Sequence, residues 1–149
     1  MVNYGYETKY LNKDIHEKAT SFIKEKKTYL KYNIDMYKYT LNSISNNLIF
    51  KNYIEEQKNK DEVVSLFEQI ISSDRNIMQI RYLDKNGQEV IRVNRDVKQD
   101  AVYVTKDKDL QNKANRYYFK ETIVNSNKLF WYSKLDVGWK ILPNNPIFY

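Results

Sequence analysis

Cysteine is absent from all 149 residues. That excludes disulfides, thiolate metal sites and cysteine nucleophiles, and it leaves the redox compartment open. Histidine occurs once, as His16 in the charged run Lys13-Asp14-Ile15-His16-Glu17-Lys18. One imidazole without a convergent partner is poor ground for a metal centre or a general base, and the pattern reads as a solvated helix face. With three glycines and two prolines, the chain is neither low-complexity nor loop-dominated. No run of about twenty apolar residues reads as a membrane span. No charged stretch followed by an apolar one reads as a signal peptide. The adjacent carboxylates Glu55-Glu56 and Asp61-Glu62 read as solvated helix charge rather than an acid–base pair. The expectation is a non-catalytic domain that needs neither metal nor cofactor.

What is present fits one soluble globular domain. Hydrophobic residues make up 42% of the chain and charged residues 30%, with length enough for a real core. The net charge of +6, the isoelectric point near 9.2 and the fourteen tyrosines raise one alternative, a basic nucleic-acid-binding protein. That reading needs its cations on one face. Here lysine alternates with acid, as in Lys24-Glu25-Lys26-Lys27, and no basic block of five residues occurs, so nucleic acid is not the expected partner.

The first third reads as one long helix. Ile15, Phe22, Tyr29 and Met36 recur every seven residues, beside a second column of Ile23, Leu30, Tyr37 and Ile44. No proline or glycine interrupts residues 6–44, which predicts a helix of roughly 50–60 Å. Such a helix is longer than a small domain is wide, so one end projects or pairs with another chain. Residues 1–45 are assigned to it and 46–149 to a separate module. Ser43, Ser45, Asn46 and Asn47 break the pattern, and two shorter helices follow over 48–57 and 62–72. From Asn76 the apolar period changes to two. Residues 77–83 and 88–95 form strands joined through Asp84-Lys85-Asn86-Gly87, and Asn-Gly favours a tight turn of residues that tolerate positive φ.

In this hairpin Met78, Ile80 and Tyr82 share a face with Ile91 and Val93, which is expected to bury. The other face carries Gln79, Arg81 and Leu83 with Val90, Arg92 and Asn94. A two-residue loop sets Arg81 opposite Arg92. Like charges placed so repel, and they invite an acidic neighbour, solvent or a bound anion. Residues 101–105, 129–133 and 139–142 complete a sheet of about five strands, and 115–124 form a helix capped by Asn112 or Asn115. The closing triplet Ile147-Phe148-Tyr149 reads as a strand just beginning, as if the module were truncated at its C-terminus.

The helix over 115–124 carries the most informative motif, Arg116-Tyr117-Tyr118-Phe119. A guanidinium grips a carboxylate or phosphate through two donors, and aromatic walls exclude water or stack on it. The set suits a small anionic or amphoteric ligand. Spacing alone fits equally an ordinary amphipathic helix with Phe119, Ile123 and Val124 in the core and Arg116 paired on the surface.

Three segments together resemble the Cache family, the PAS-like extracytoplasmic sensor domains of bacterial receptors. Gln79-Ile80-Arg81-Tyr82-Leu83-Asp84 with Asn86-Gly87 and Glu89-Val90-Ile91-Arg92-Val93 is similar to the family's first hairpin. Leu110-Gln111-Asn112-Lys113 followed by Arg116-Tyr117-Tyr118-Phe119 resembles its pocket helix. Tyr132-Ser133-Lys134-Leu135-Asp136 resembles the strand and loop that close the pocket, with Lys134 where the family has proline. The resemblance implies an α+β fold, a long N-terminal helix packed on a PAS-like antiparallel sheet. It implies the periplasmic sensor of an inner-membrane histidine kinase, diguanylate cyclase or chemoreceptor, either a single module or the membrane-distal part of a double one.

On that resemblance the ligand is an amino acid or carboxylate. Arg116, Tyr118 and Phe119 occupy the positions of the ligand motif, and Asp136 suits a ligand ammonium. Tyr132 and Tyr103 serve as walls, with Arg81 and Arg92 on the polar sheet face. A parallel homodimer through the long helix and a membrane link through flanking segments complete the expectation.

Overall fold

The computed structural model describes the backbone of residues 4–124 and the side chains of residues 11–124. The strands expected at 129–133 and 139–142, and the closing triplet, lie outside the described residues. The chain divides into two compact units between Asn47 and Leu48, and each is described by itself.

The first unit is one α-helix, α1 (Tyr4–Asn46), of 43 residues. At 1.5 Å per residue it is roughly 65 Å long. Its turns are supported locally. Lys18 pairs with Asp14 at 2.7 Å and Lys13 with Glu17 at 3.8 Å, each one turn apart. Such exposed pairs are worth a few tenths of a kcal/mol at most. The column expected from the sevenfold spacing is exposed along its length: Ile15 55%, Phe22 59%, Tyr29 63%, Met36 44%.

The second unit begins with two helices, α2 (Leu48–Glu56) and α3 (Lys60–Ser73), joined through Gln57 and Asn59, both at positive φ. Asp61 and Glu62 sit in the first turn of α3, where carboxylates complement the helix dipole. A three-stranded antiparallel sheet follows in the order β1 (Gln79–Leu83), β2 (Glu89–Asp96), β3 (Ala101–Val104). A short 3-10 turn, Asp107–Asp109, leads towards α4 (Tyr117–Val124).

The apolar sheet face pairs Ile80 with Val93 and Tyr82 with Ile91, as the period of two requires. The helices α2 and α3 cover it. Val63, Phe67 and Ile71 recur at intervals of four along α3 and are at most 1% exposed. Phe50 of α2 meets Phe67 at 6.0 Å and the edge of Tyr82 at 5.3 Å, while Tyr53 meets Tyr82 at 6.2 Å. Tilted and edge-on rings at these separations add to the area term. Burying Phe67, Ile71, Ile91 and Val93 contributes about 1.5–3 kcal/mol each. The Tyr82 phenol is pushed above its usual value, first by burial and then by the neighbouring Tyr53 and Asp84.

Arg95 also turns towards α3. Its Nη2 donates to the Ile71 and Asp74 carbonyls and its Nη1 to Asp100 at 2.8 Å. A cation thus closes the carbonyl end of α3, where the dipole is negative. The fold is α+β, a long N-terminal helix with an antiparallel sheet.

Candidate functional site

The polar face of the sheet is built by the register. Arg81 stands opposite Arg92 and Gln79 opposite Asn94. Next to the turn the pairing shifts: Tyr82 faces Ile91, but Leu83 faces Glu89, so Val90 is an extra residue on β2. Two residues against one is a β-bulge. The turn explains it. Only Gly87 has positive φ, at 78°, and the loop is Lys85-Asn86-Gly87 rather than a two-residue Asn-Gly turn. The Asp84 carbonyl accepts from Gly87 N–H at 3.0 Å. Asp84 N–H donates to the Gln88 carbonyl at 2.9 Å, closing the longer loop. The Asp84 carboxylate holds the Asn86 and Gln88 amides at 2.8 and 2.9 Å.

The bulge turns Glu89 onto the arginine face. Its side chain is fully buried, and each carboxylate oxygen takes one guanidinium: Oε1 from Arg81 Nη1 at 3.2 Å and Oε2 from Arg92 Nη1 at 2.9 Å. The Gln111 amide donates to Oε2 at 3.0 Å, and Lys113 Nζ lies 3.8 Å from Oε1. Arg81, Arg92 and Lys113 keep only 16–18% of their side-chain surface in water. Among the described residues, three cationic groups therefore meet one carboxylate. Burial holds the Lys113 ammonium below its usual value; Glu89 works against that, while Arg81, Arg92 and Arg116 add to it.

The polar chain continues in both directions. Arg81 Nη1 donates to the Tyr118 hydroxyl at 3.3 Å, and Arg92 Nε donates to Thr105 Oγ1 at 2.9 Å. Asn94 Nδ2 donates to the same Thr105 oxygen at 2.8 Å and accepts from Gln79 Nε2. One network thus runs from Gln79 across the polar face of β1 and β2, with Thr105 just past β3, to Tyr118 of α4. Beside Arg92 the surface opens into a depression of ≈ 350 Å³ lined by Tyr103, Val104, Thr105, Lys106, Lys108 and Asp109.

The approach to α4 is fastened to the hairpin. Glu89 N–H donates to the Gln111 carbonyl at 3.0 Å, Lys113 N–H to the Gly87 carbonyl at 2.6 Å, and Gln88 bridges Asn112. Asn112 Oδ1 accepts from the Ala114 amide at 2.9 Å, a local turn just before the helix.

Of the residues expected to form the site, the structure joins Arg81, Arg92 and Tyr118 in this network and places Tyr103 on the wall of the depression. Arg116 immediately precedes α4 with an exposed side chain, and its charge reaches Lys113. Phe119 is half-buried, whereas Tyr118 is the residue of the motif that α4 buries, at 6% exposure. Ile123 and Val124 are exposed at 50% and 82%. Tyr132 and Asp136 lie outside the described residues. The sequence reading did not single out Glu89, Lys113 or Thr105. The available signal was the acid at Glu89, which strict alternation would have set beside Ile91 in the core.

A long helix, two covering helices and an antiparallel sheet whose second face is polar define the class, a mixed α+β fold of PAS-like type. A family model described as the bacterial histidine kinase sensor domain matches residues 17–139. The chain belongs to that family. Two solved structures share the fold. One is the extracellular domain of vpHK1S-Z8, classed as a histidine kinase, at 21% identity and TM-score 0.57. The other is a domain of a sensory box/GGDEF family protein from Vibrio parahaemolyticus, at 22% identity and TM-score 0.58. Each match covers 74% of this chain but only 38% and 40% of the respective structures, so the chain spans about two fifths of their length. No curated protein matches the sequence.

Proposed function

We propose that the chain is the extracytoplasmic ligand-binding module of a bacterial membrane receptor, and that its ligand is a small carboxylate- or amino-acid-like anion. The observation that carries this reading is the convergence of Arg81, Arg92 and Lys113 on the polar sheet face, with Tyr118 attached. Partly desolvated cations attract anions far more strongly than solvated ones, because the low local dielectric leaves their charge poorly screened. Arg116 brings a further planar donor fork at the start of α4. Asp136 would meet a ligand ammonium and Tyr132 would wall the pocket. The extracellular origin of one solved neighbour supports the location.

The signal is a population shift. Ligand favours one arrangement of α4 against the sheet, and that bias is transmitted to α1. The exposed column Ile15, Phe22, Tyr29 and Met36 suits a parallel homodimer through α1. Flanking segments would tie it to the membrane and to a histidine kinase, diguanylate cyclase or chemoreceptor output.

A thermal-shift screen of amino acids and small carboxylates tests the ligand reading. A hit should raise the melting temperature of the parent chain, and Arg116→Ala should abolish that rise. An unchanged rise in Arg116→Ala removes Arg116 from the pocket, and no response to any carboxylate or amino acid defeats the ligand class.

A further inference from the structure

Glu89 is unusual among the charges of this chain. Among the described residues, it alone combines a fully buried carboxylate with contacts to two facing arginines, a lysine and a backbone amide. Its two oxygens stand where the two oxygens of an external carboxylate would stand between Arg81 and Arg92. The same side chain also holds Gln111, and Gln111 lies on the segment that leads into α4. The bulge at Val90 is what delivers the carboxylate there. A structure that needed only to quench Arg81 against Arg92 could do so with a surface acid. Here the quenching acid is also the clamp on the α4 approach.

We propose that Glu89 is a resident counter-anion, an internal competitor that occupies an anion seat formed by Arg81, Arg92 and Lys113 and is displaced when an external oxoanion or carboxylate takes that seat. Displacement breaks the hydrogen bond from the Gln111 amide to the Glu89 carboxylate, one of the links that fasten the 110–114 segment, so occupancy of the sheet face is converted into a loosening at the root of α4. The inference rests on the reading that this face receives an anion, but it makes a separate claim about which group the anion replaces.

The probes are inorganic sulfate and acetate, titrated at constant ionic strength into the 149-residue chain. Three variants accompany it: Glu89→Asp, Glu89→Gln and Glu56→Gln. Glu89→Asp keeps the charge but shortens the side chain, so it cannot span both guanidinium groups. Both Glu89 variants should bind the probe at least tenfold more tightly than the parent, in thermal shift or calorimetry. Glu56→Gln removes an exposed acid from α2, which covers the other face of the sheet, and should change affinity less than threefold. In the parent, probe should move the Gln111 and Lys113 amide resonances towards the positions they hold in Glu89→Gln.

Equal or weaker binding in Glu89→Asp overturns the proposal, as does an equal gain in Glu56→Gln, which would reduce the effect to background charge. Gln111 resonances that ignore the probe overturn the coupling. If Glu89→Gln fails to fold, Glu89→Asp decides alone. Sulfate binding that is indifferent to Glu89 sinks this inference and leaves the ligand reading standing. Absence of binding by every probe and every variant sinks the seat, and the Arg116→Ala screen then judges the ligand reading by itself.

Discussion

Lys113 donates its backbone N–H to the Gly87 carbonyl over 2.6 Å, the shortest of the links between the tip of the β1–β2 hairpin and the approach to α4. The contact is close because Gly87 has no side chain. A Cβ built on Gly87 would lie 2.6 Å from the Ala114 nitrogen and 2.7 Å from its Cα, both backbone atoms that cannot swing aside. The residue also sits at φ 78°, where an L side chain is strained.

Gly87→Ala should therefore cost on the order of 1–3 kcal/mol for the backbone conformation, with the overlap adding to it. Urea denaturation followed by circular dichroism measures the loss. A midpoint within error of the parent would show that the hairpin tip and the 113–114 segment are not held together as described.

Phe67 tests the other face of the sheet. It is 1% exposed and touches Phe50 at 6.0 Å, and α3 presents it between Val63 and Ile71. Phe67→Ala leaves a cavity among α2, α3 and the sheet, with an expected loss of about 3–5 kcal/mol. Against the 5–15 kcal/mol typical of whole domains, that is a large share, and the melting temperature of the second unit should fall clearly. A loss below about 1 kcal/mol would show that the α3 packing collapses around the smaller residue.

Much of this fold is written in apolar periods, and the departures have local causes. The sevenfold columns over 15–44 give the long helix, because no proline or glycine competes with them. The alternation of Ile80, Tyr82, Ile91 and Val93 gives the buried face, and the pairing of Arg81 with Arg92 follows from the same register. What was not legible was the partner of those arginines. Asn86-Gly87 is compatible with a two-residue loop and with a three-residue loop carrying a bulge. The choice between them decides whether Glu89 points to the core or to the arginines. The Tyr117-Tyr118-Phe119 run was ambiguous for a different reason. Three consecutive aromatics place one on the inward face at any helix phase, and the phase is set by tertiary contacts, here the Tyr118 hydroxyl on Arg81.

Arg95 should behave as a structural cation. Its Nη2 reaches the Ile71 and Asp74 carbonyls and its Nη1 the Asp100 carboxylate, with only 6% of the side chain exposed. Arg95→Met fills much of the same volume but leaves the carbonyl end of α3 without its donor. Lost hydrogen bonds of this kind cost about 1–3 kcal/mol. Amide exchange should accelerate in the last turn of α3 more than in its first. Uniform acceleration would assign the effect to packing instead.

The raised Tyr82 phenol gives a pH signature. The folded state holds the proton more tightly than the unfolded chain, whose tyrosines titrate near their ordinary value of 10.0. Its contribution to stability is therefore complete below pH 10.0 and is lost as pH rises towards the folded-state value. Tyr82→Phe has no such proton, so the gap between parent and variant in urea midpoint should narrow or reverse above pH 10.0. A constant gap from pH 8 to 11 would mean that the phenol does not titrate differently in the two states.

Lys113 predicts the opposite slope. Burial is the first cause of its lowered value, and the nearby arginines add to it, so the folded state releases the proton before the unfolded chain does at the ordinary lysine value of 10.5. Between the folded-state value and 10.5 the unfolded chain binds more protons, and this site makes stability rise with pH through that window. Glu89 is the one neighbour that works in the other direction, by attracting the ammonium from 3.8 Å. Removing its charge in Glu89→Gln leaves burial and the three arginines unopposed, so the Lys113 amine should titrate at still lower pH. Carbon-13 dimethylated lysine resonances followed against pH read this directly. A Lys113 titration that stays put in Glu89→Gln, or moves up, would show that the carboxylate does not act on the lysine across that distance.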